Sequence, residues 1–265
     1  RLSGSIFSED IAGIGLGIAG IVDREGGKIT ISPNIPAIEG IDLAKGIRER
    51  FRVPVFIEND ANAAALGEKW IGAGKEFSDF VLFTLGTGIG GGIIKDKKLL
   101  DVAAEIGHMT INADGEKCHC GNSGCLEVYA SARAIVSRVV SALEKGRESM
   151  LKQSRKGNFY DLSVEDIYRI ALEGDSLARD VIKEAGRHLG IGIANIINVM
   201  SPGAIILAGG LTGAWDIYIQ EAINEASKRA FKVLFDAVKI IPSLLGDDAG
   251  IIGSAGLVFH GYREV

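Results

Sequence analysis

Two periods organise the apolar and polar positions along the chain. Residues 11–22, IAGIGLGIAGIV, form an isoleucine-rich run bounded by charged residues and interrupted by glycines. The run predicts a buried strand at which another backbone or a ligand comes close. After a turn at 23–27, Lys28 to Ile31 predicts a second short strand, and Ser32, Pro33 and Asn34 open a loop. Apolar side chains at 41, 43, 44, 47 and 51 follow helical spacing and stop before Val53-Pro54, because the residue ahead of a proline is pushed into extended backbone. Val55, Phe56 and Ile57 predict a strand, with Glu58-Asn59-Asp60 at its carboxyl end and an alanine-rich helix over 61–70 behind it. A strand over 80–84 enters the glycine-rich stretch 86–92 and leaves through Ile93 and Ile94, which predicts a hairpin whose amides can hold an anion. Helical patterns cover 131–145 and 164–197, and the polar segment 146–157 between them predicts a mobile excursion. The run 204–208, AIILA, predicts a buried strand stopped by Gly209-Gly210. A helix over 215–230, a strand near 238–241, a loop through Gly246-Asp247-Asp248 and a last helix from Ala249 complete the pattern. Strands alternating with helices, with polar residues at strand ends, predict an α/β protein that binds ligands at those ends.

At 265 residues the chain is long enough for two modest domains or one large one. Its 36 glycines exceed the usual share and agree with many close backbone approaches. A net charge of −5, with no lysine or arginine run, argues against nucleic acid or an anionic membrane as the main partner. The longest apolar stretch, the 12 residues at 11–22, is too short and too glycine-rich to span a bilayer. No secretory pattern precedes it, so the expected location is cytoplasmic.

All three cysteines, Cys118, Cys120 and Cys125, fall within eight positions, and His108 precedes them. One nitrogen and three sulfurs suit a closed tetrahedral zinc, which would shape the loop and not activate water. A local disulfide with a spare thiol, or three ordinary thiols, is the alternative; an odd cysteine count disfavours the first of these. The chemistry is then expected elsewhere. Glu58-Asn59-Asp60 sits at a strand end, where Asp60 is either a helix cap or a functional carboxylate. Asn34, Glu105, His108 and Glu127 also stand at junctions between loops and elements. Carboxylates, amides and an imidazole in such places suit a polyhydroxylated ligand, whose hydroxyls both donate and accept. The glycine-lined ends at Gly86-Thr87-Gly88 and Gly209-Gly210 are candidates for the phosphates and the nucleoside of ATP. No GxxxxGK[ST] sequence is present, and the GxGxxG at 86–91 leads into a strand where a dinucleotide fold needs a helix.

Five segments carry a family resemblance: IENDANAAALGE at 57–68, LGTGIGGG at 85–92, EIGHM at 105–109, CHCGNSGCLE at 118–127 and LAGGL at 207–211. Together they resemble the ROK family of sugar kinases and sugar-responsive repressors, and within it the bacterial-type glucokinases. The resemblance implies the actin-like, ribonuclease-H-like two-domain α/β fold, with sugar and ATP in its cleft. It implies a small lobe from residues 1–58 with 249–265, and a large lobe over 59–248 that carries the zinc loop and nucleotide motifs. By resemblance Asp60 is the catalytic base, and Asn34, Asn59, Glu105, His108 and Glu127 hold the sugar. Gly86, Thr87 and Gly88 meet the phosphates, Gly209 and Gly210 the adenosine, and Mg²⁺ accompanies the nucleotide. His108 would give one ring nitrogen to zinc and the other to a hydroxyl. The family's kinases open on a DxGGT hairpin that this sequence does not contain, so the small lobe is expected to lack its N-terminal hairpin and to leave 11–22 with an unpaired edge.

The activity expected is ATP-dependent phosphorylation of a hexose, with glucose first, and the resemblance implies a homo-oligomer, a dimer or a dimer of dimers. A kinase for another hexose or an N-acetylated amino sugar, and a sugar-responsive repressor of the same family, remain as alternatives. A zinc-stabilised binding module without turnover is the third.

Overall fold

The computed structural model describes residues 11–24, 26–32 and 35–259, with the side chains of 154–157 excepted. In chain order, β1 (Ile14–Ile18), β2 (Ile21–Asp23) and β3 (Lys28–Ile31) precede α1 (Leu43–Phe51). Then follow β4 (Val55–Asn59), α2 (Asp60–Ile71), β5 (Phe80–Leu85), β6 (Ile89–Lys95) and β7 (Lys98–Leu99). The helices α3 (Glu127–Ala130), α4 (Ala132–Glu144), α5 (Val164–Leu172) and α6 (Ser176–Met200) lead to β8 (Ala204–Ala208). The chain closes with α7 (Gln220–Arg229), α8 (Lys232–Ala237), β9 (Lys239–Pro242) and α9 (Ala249–Phe259). A five-stranded sheet has the order β7-β6-β5-β8-β9, and β1 pairs in parallel with β4, Ile14 opposite Val55 and Ile18 opposite Asn59.

Contacts divide the chain into two compact units, one within Arg1–Leu82, Gly91–Ala104 and Ile241–Val265, the other within Phe83–Gly90 and Glu105–Ile240. This division places α2 with α9, whereas the sequence boundary after residue 58 separated them.

In the first unit the isoleucine–glycine alternation of β1 has a direct cause. Side chains of a strand point to opposite faces in turn, so Ile14, Leu16 and Ile18 share one face and pack on the buried Ala44, Val55 and Ile57 together with Leu43 and Ile47. On the opposite face a Cβ at Gly15 would run into the Ser254 carbonyl of α9, and one at Gly17 would lie 3.0 Å from Ser254 Oγ. The glycines let a helix backbone lie on the strand. The same device brings α2 and α9 together: Gly67 meets the Ala249 carbonyl and Gly253 the Ala63 carbonyl.

Glu68 is fully buried on α2. Its carboxylate accepts from Ala73 N (2.6 Å), Leu245 N (2.9 Å), Leu244 N (3.4 Å) and the Ser243 hydroxyl. It thereby fixes the turn that leads from β9 into α9.

In the second unit the long α6 is the centre. Glycines 186 and 190 bring it against the carbonyls of Tyr218 and Ala222, each 2.5 Å from where a Cβ would stand. The buried Tyr218 hydroxyl donates to the Ala130 carbonyl at 2.6 Å, tying α7's leading turn to the α3–α4 junction. The polar segment after α4, whose composition predicts a mobile excursion, carries regular structure. Met150–Gly157 forms a 3-10 helix, Leu151 is buried, and Asp175 accepts from Ser149 Oγ and Met150 N, both at 2.8 Å. Among the described residues no helix is long and apolar enough to cross a membrane.

Candidate functional site

In the first unit, β4 delivers Glu58-Asn59-Asp60 to the start of α2, and the structure separates their tasks. Asn59 is the helix cap: its Oδ1 accepts from Ala61 N (2.9 Å) and Asn62 N (3.1 Å), and its Nδ2 donates to the Gly20 carbonyl (3.0 Å). Asp60 is therefore not the cap. It is the first helical residue, exposed, with one carboxylate oxygen accepting from Ala61 N at 2.9 Å. Glu58 is buried and takes a bidentate pair from Arg24, Nε at 2.6 Å and Nη2 at 2.9 Å. It also accepts from Asn62 Nδ2 (3.1 Å) and Asn59 N (2.8 Å), while Arg24 reaches Asp101 as well. Fork-to-carboxylate pairs fix geometry as well as charge, so this network holds the strand end from which Asp60 projects. Arg24 was not visible as a site residue in the sequence, because nothing marks a partner 34 residues away; Asn62, four residues from Glu58, reads only as one more polar position of the helix. Asn34 lies outside the described residues.

In the second unit, Glu105 precedes a 3-10 turn, Ile106–His108. This turn aims His108 Nδ1 at Cys118 Sγ, 3.6 Å away, and leaves Nε2 on the side of Glu105, 3.9 Å from its Oε2. Cys120 Sγ and Cys125 Sγ are 3.6 Å apart, and the four ligand atoms of His108, Cys118, Cys120 and Cys125 all lie within 4.8 Å of one another. Ligands about 2.0–2.3 Å from a tetrahedral zinc stand roughly 3.5–3.8 Å apart, so the donor set fits such an ion in kind and in spacing. All three cysteines are free thiols. Burial, with the neighbouring Cys120 and Cys118 thiols, pushes the Cys125 thiol up to about 12. A metal must displace that proton, so metal affinity rises with pH over the range in which the thiols remain protonated.

The loop closes on backbone features. Cys118 N donates to the Asn122 carbonyl (2.9 Å), Gly121 N to the Cys118 carbonyl (3.0 Å), and Gly121 and Gly124 sit at φ +91 and +73. A Cβ at Gly124 would strike the Asn112 carbonyl. Behind it, Glu116 N donates to the Tyr129 hydroxyl (2.7 Å), and the ring of Tyr129 is flanked by Arg138 at 5.1 Å and His188 at 4.7 Å. Burial, then the Arg138 charge, lowers the His188 pKa and favours its neutral ring.

The glycine-rich turn between β5 and β6 lies in the same unit. Gly86 N donates to the Gly88 carbonyl (3.0 Å), Gly90 N to Thr84 Oγ1 (3.2 Å), and Ile89 N to Glu127 Oε2 (2.8 Å). The amides of Thr87 and Gly88 make no hydrogen bond among the described residues, and two adjacent amides of this kind can meet an anion. At the end of β8, beside β5 in the sheet, Gly209 has φ +92 and would place a Cβ 2.5 Å from the Leu85 carbonyl. Thr212 donates to the Gly209 carbonyl through N (3.0 Å) and Oγ1 (2.8 Å), and a Cβ at Gly210 would stand in open space. The structure thus brings together Glu105, His108 and the cysteines, links Glu127 to the glycine-rich turn, and sets the turn beside Gly209-Gly210.

Comparison with known proteins gives the family. The ROK family profile matches residues 6–260. The chain belongs to the ROK family. Its α/β architecture is the fold of the ROK sugar kinases: it superposes on a ROK family glucokinase from Streptomyces griseus, in complex with glucose and AMPPNP, with a TM-score of 0.80. That match has 33% identity and covers 93% of this chain and 81% of the other. A ROK family transcriptional regulator, a homolog of the E. coli MLC protein, gives 0.82 at 32% identity over 91% of this chain and 60% of that one. Among curated ROK relatives, the glucokinase of Halalkalibacterium halodurans is 36% identical over 268 residues, 97% of this chain and 79% of that protein. The xylose repressor of Caldicellulosiruptor bescii is 35% identical over 252 residues, 94% of this chain. The chain spans 62% of that repressor's length. Kinases and repressors of the family thus resemble this ROK chain to similar degrees.

Proposed function

We propose that the chain is an ATP-dependent hexose kinase, with glucose as the first candidate substrate. The observation that carries this reading is the division of labour at the start of α2: Asn59 does the capping, so the Asp60 carboxylate has no structural duty that another residue does not already perform. Asp60 is then the general base that takes the proton from the attacking sugar hydroxyl. Asn59, Glu105, His108 and Glu127, with Asn34, are the sugar-binding set, and each offers donors or acceptors of the kind a polyol needs. The open Thr87 and Gly88 amides supply the phosphate contact, with Gly86 as the turn, and Gly209 and Gly210 the adenosine contact. Mg²⁺ bound with the nucleotide would supply charge neutralisation at its phosphates; the protein's part is positioning and proton removal.

His108, Cys118, Cys120 and Cys125 would hold one structural zinc. The ion would leave His108 Nε2 to the sugar and fix its tautomer. We expect one zinc per chain, and Cys120→Ser to lower both zinc content and sugar affinity; elemental analysis finding no zinc in protein purified without chelator removes the site.

The similarity to xylose repressors favours a second reading, a sugar-sensing module without turnover. A coupled assay for ATP-dependent phosphorylation across glucose, mannose, xylose and N-acetylated amino sugars separates the two. Turnover with one hexose is the expected result. Saturable sugar binding without turnover on any of them would replace the kinase by the sensor.

A further inference from the structure

Ile89, the first residue of β6, is gripped from two sides by segments that end in metal-ligand candidates. Its N–H donates to Glu127 Oε2 at 2.8 Å, and Glu127 follows Cys125 by two residues. Its carbonyl lies so close to Gly107 that a Cβ there would clash, and Gly107 immediately precedes His108. Glu127 also fills the space beside Gly88, so that a side chain at 88 would meet its carboxylate. Leu126, fully buried, seats this segment on Gly192 of α6, 2.6 Å from where a Cβ would be. The grip is thus anchored in the helical core, and its two arms meet where His108 and the cysteines converge.

We propose that Glu127 is the positioning residue of the glycine-rich turn, and that it couples the state of the metal loop to the conformation of residues 86–89. A hydrogen bond from a backbone N–H to a carboxylate is among the stronger ones, and this one lies directly beside the amides of Thr87 and Gly88, which make no hydrogen bond among the described residues. Losing it frees the turn. Any group that binds Glu127, a sugar hydroxyl included, shares the same carboxylate and so is linked to the turn; by reciprocity the turn's ligand is linked to it. The consequence for nucleotide rests on the kinase reading, whereas the positioning of the turn does not.

The experiment is residue-resolved amide hydrogen exchange on the full chain, with metal content measured in parallel. For Glu127→Ala the Ile89 amide is expected to exchange about tenfold faster or more, the scale of one lost charged hydrogen bond, with metal retained. Glu127→Gln, which keeps a neutral acceptor, is expected to hold the increase to about threefold. AMPPNP affinity without sugar should follow the same order, falling about tenfold in Glu127→Ala and little in Glu127→Gln. Unchanged Ile89 exchange in Glu127→Ala overturns the proposal. If that variant does not fold, equal exchange in Glu127→Gln and wild type does so instead. Should wild-type protein bind no AMPPNP, the kinase reading fails, and the exchange comparison still decides the role of Glu127.

Discussion

Asp60→Asn is expected to lower turnover by about 100-fold or more while sugar affinity stays near wild type, the usual scale for losing a general base. The expectation rests on the geometry at the head of α2. An amide is nearly isosteric with the carboxylate and keeps a carbonyl oxygen to accept from Ala61 N, a bond now made at 2.9 Å. It has no basic oxygen, so the proton of the attacking hydroxyl has nowhere to go. The helix itself should notice little. Its cap is Asn59, and the favourable interaction of a negative charge with the helix N-terminus is worth about 0.3–1 kcal/mol at an exposed position. Steady-state kinetics, calorimetric sugar binding and thermal melting on the same preparation check this. A variant with normal specific activity and clearly reduced stability would make Asp60 a structural residue after all.

The largest effect on stability is expected at Glu68. Glu68→Ala should cost about 3 kcal/mol, because it removes at once the hydrogen bonds that several part-buried donors make to one buried carboxylate, bonds to a charged group being worth about 1.5–3 kcal/mol each. The donors are Ala73 N, Leu244 N, Leu245 N and the Ser243 hydroxyl. Glu68→Gln should recover little, since one of its two terminal atoms becomes an NH₂ group pointing at backbone N–H groups that also donate. Denaturant unfolding is the measurement. A loss under about 1 kcal/mol would mean that water replaces the carboxylate without difficulty.

Much of this architecture was legible beforehand, and the failures have specific causes. The strand–helix unit from Val55 through α2 followed from an apolar triplet, two helix-capping residues and an alanine run. Which of those residues caps was not readable: Asn59 and Asp60 are adjacent, both are strong caps, and only the backbone angles decide. The single helical pattern over 164–197 is two helices, broken at 173–175 where Asp175 caps α6 by accepting from Ala178 N. That same Asp175 orders Ser149 and Met150, so a segment with loop composition is held by an acceptor 25 residues away. Local composition carries no trace of such a bond. The Arg24–Glu58 pair escaped for the same reason, whereas the cysteine cluster announced itself because its members are close in sequence as well as in space.

The glycines of the turns proposed to meet the nucleotide, and of the turn that carries His108, carry unequal information. Gly88, Gly107 and Gly209 are required by the chain itself, against the Glu127 carboxylate, the Ile89 carbonyl and the Leu85 carbonyl. A chain of this fold without phosphoryl transfer would still need all three to fold, and their presence therefore says nothing about catalysis. Among the described residues, beyond the glycine's own stretch of chain, nothing lies within 4 Å of a would-be Cβ at Gly86 or Gly210. Folding leaves those two positions unconstrained, so among diverging sequences they are where relaxed selection for a bound nucleotide would first be written.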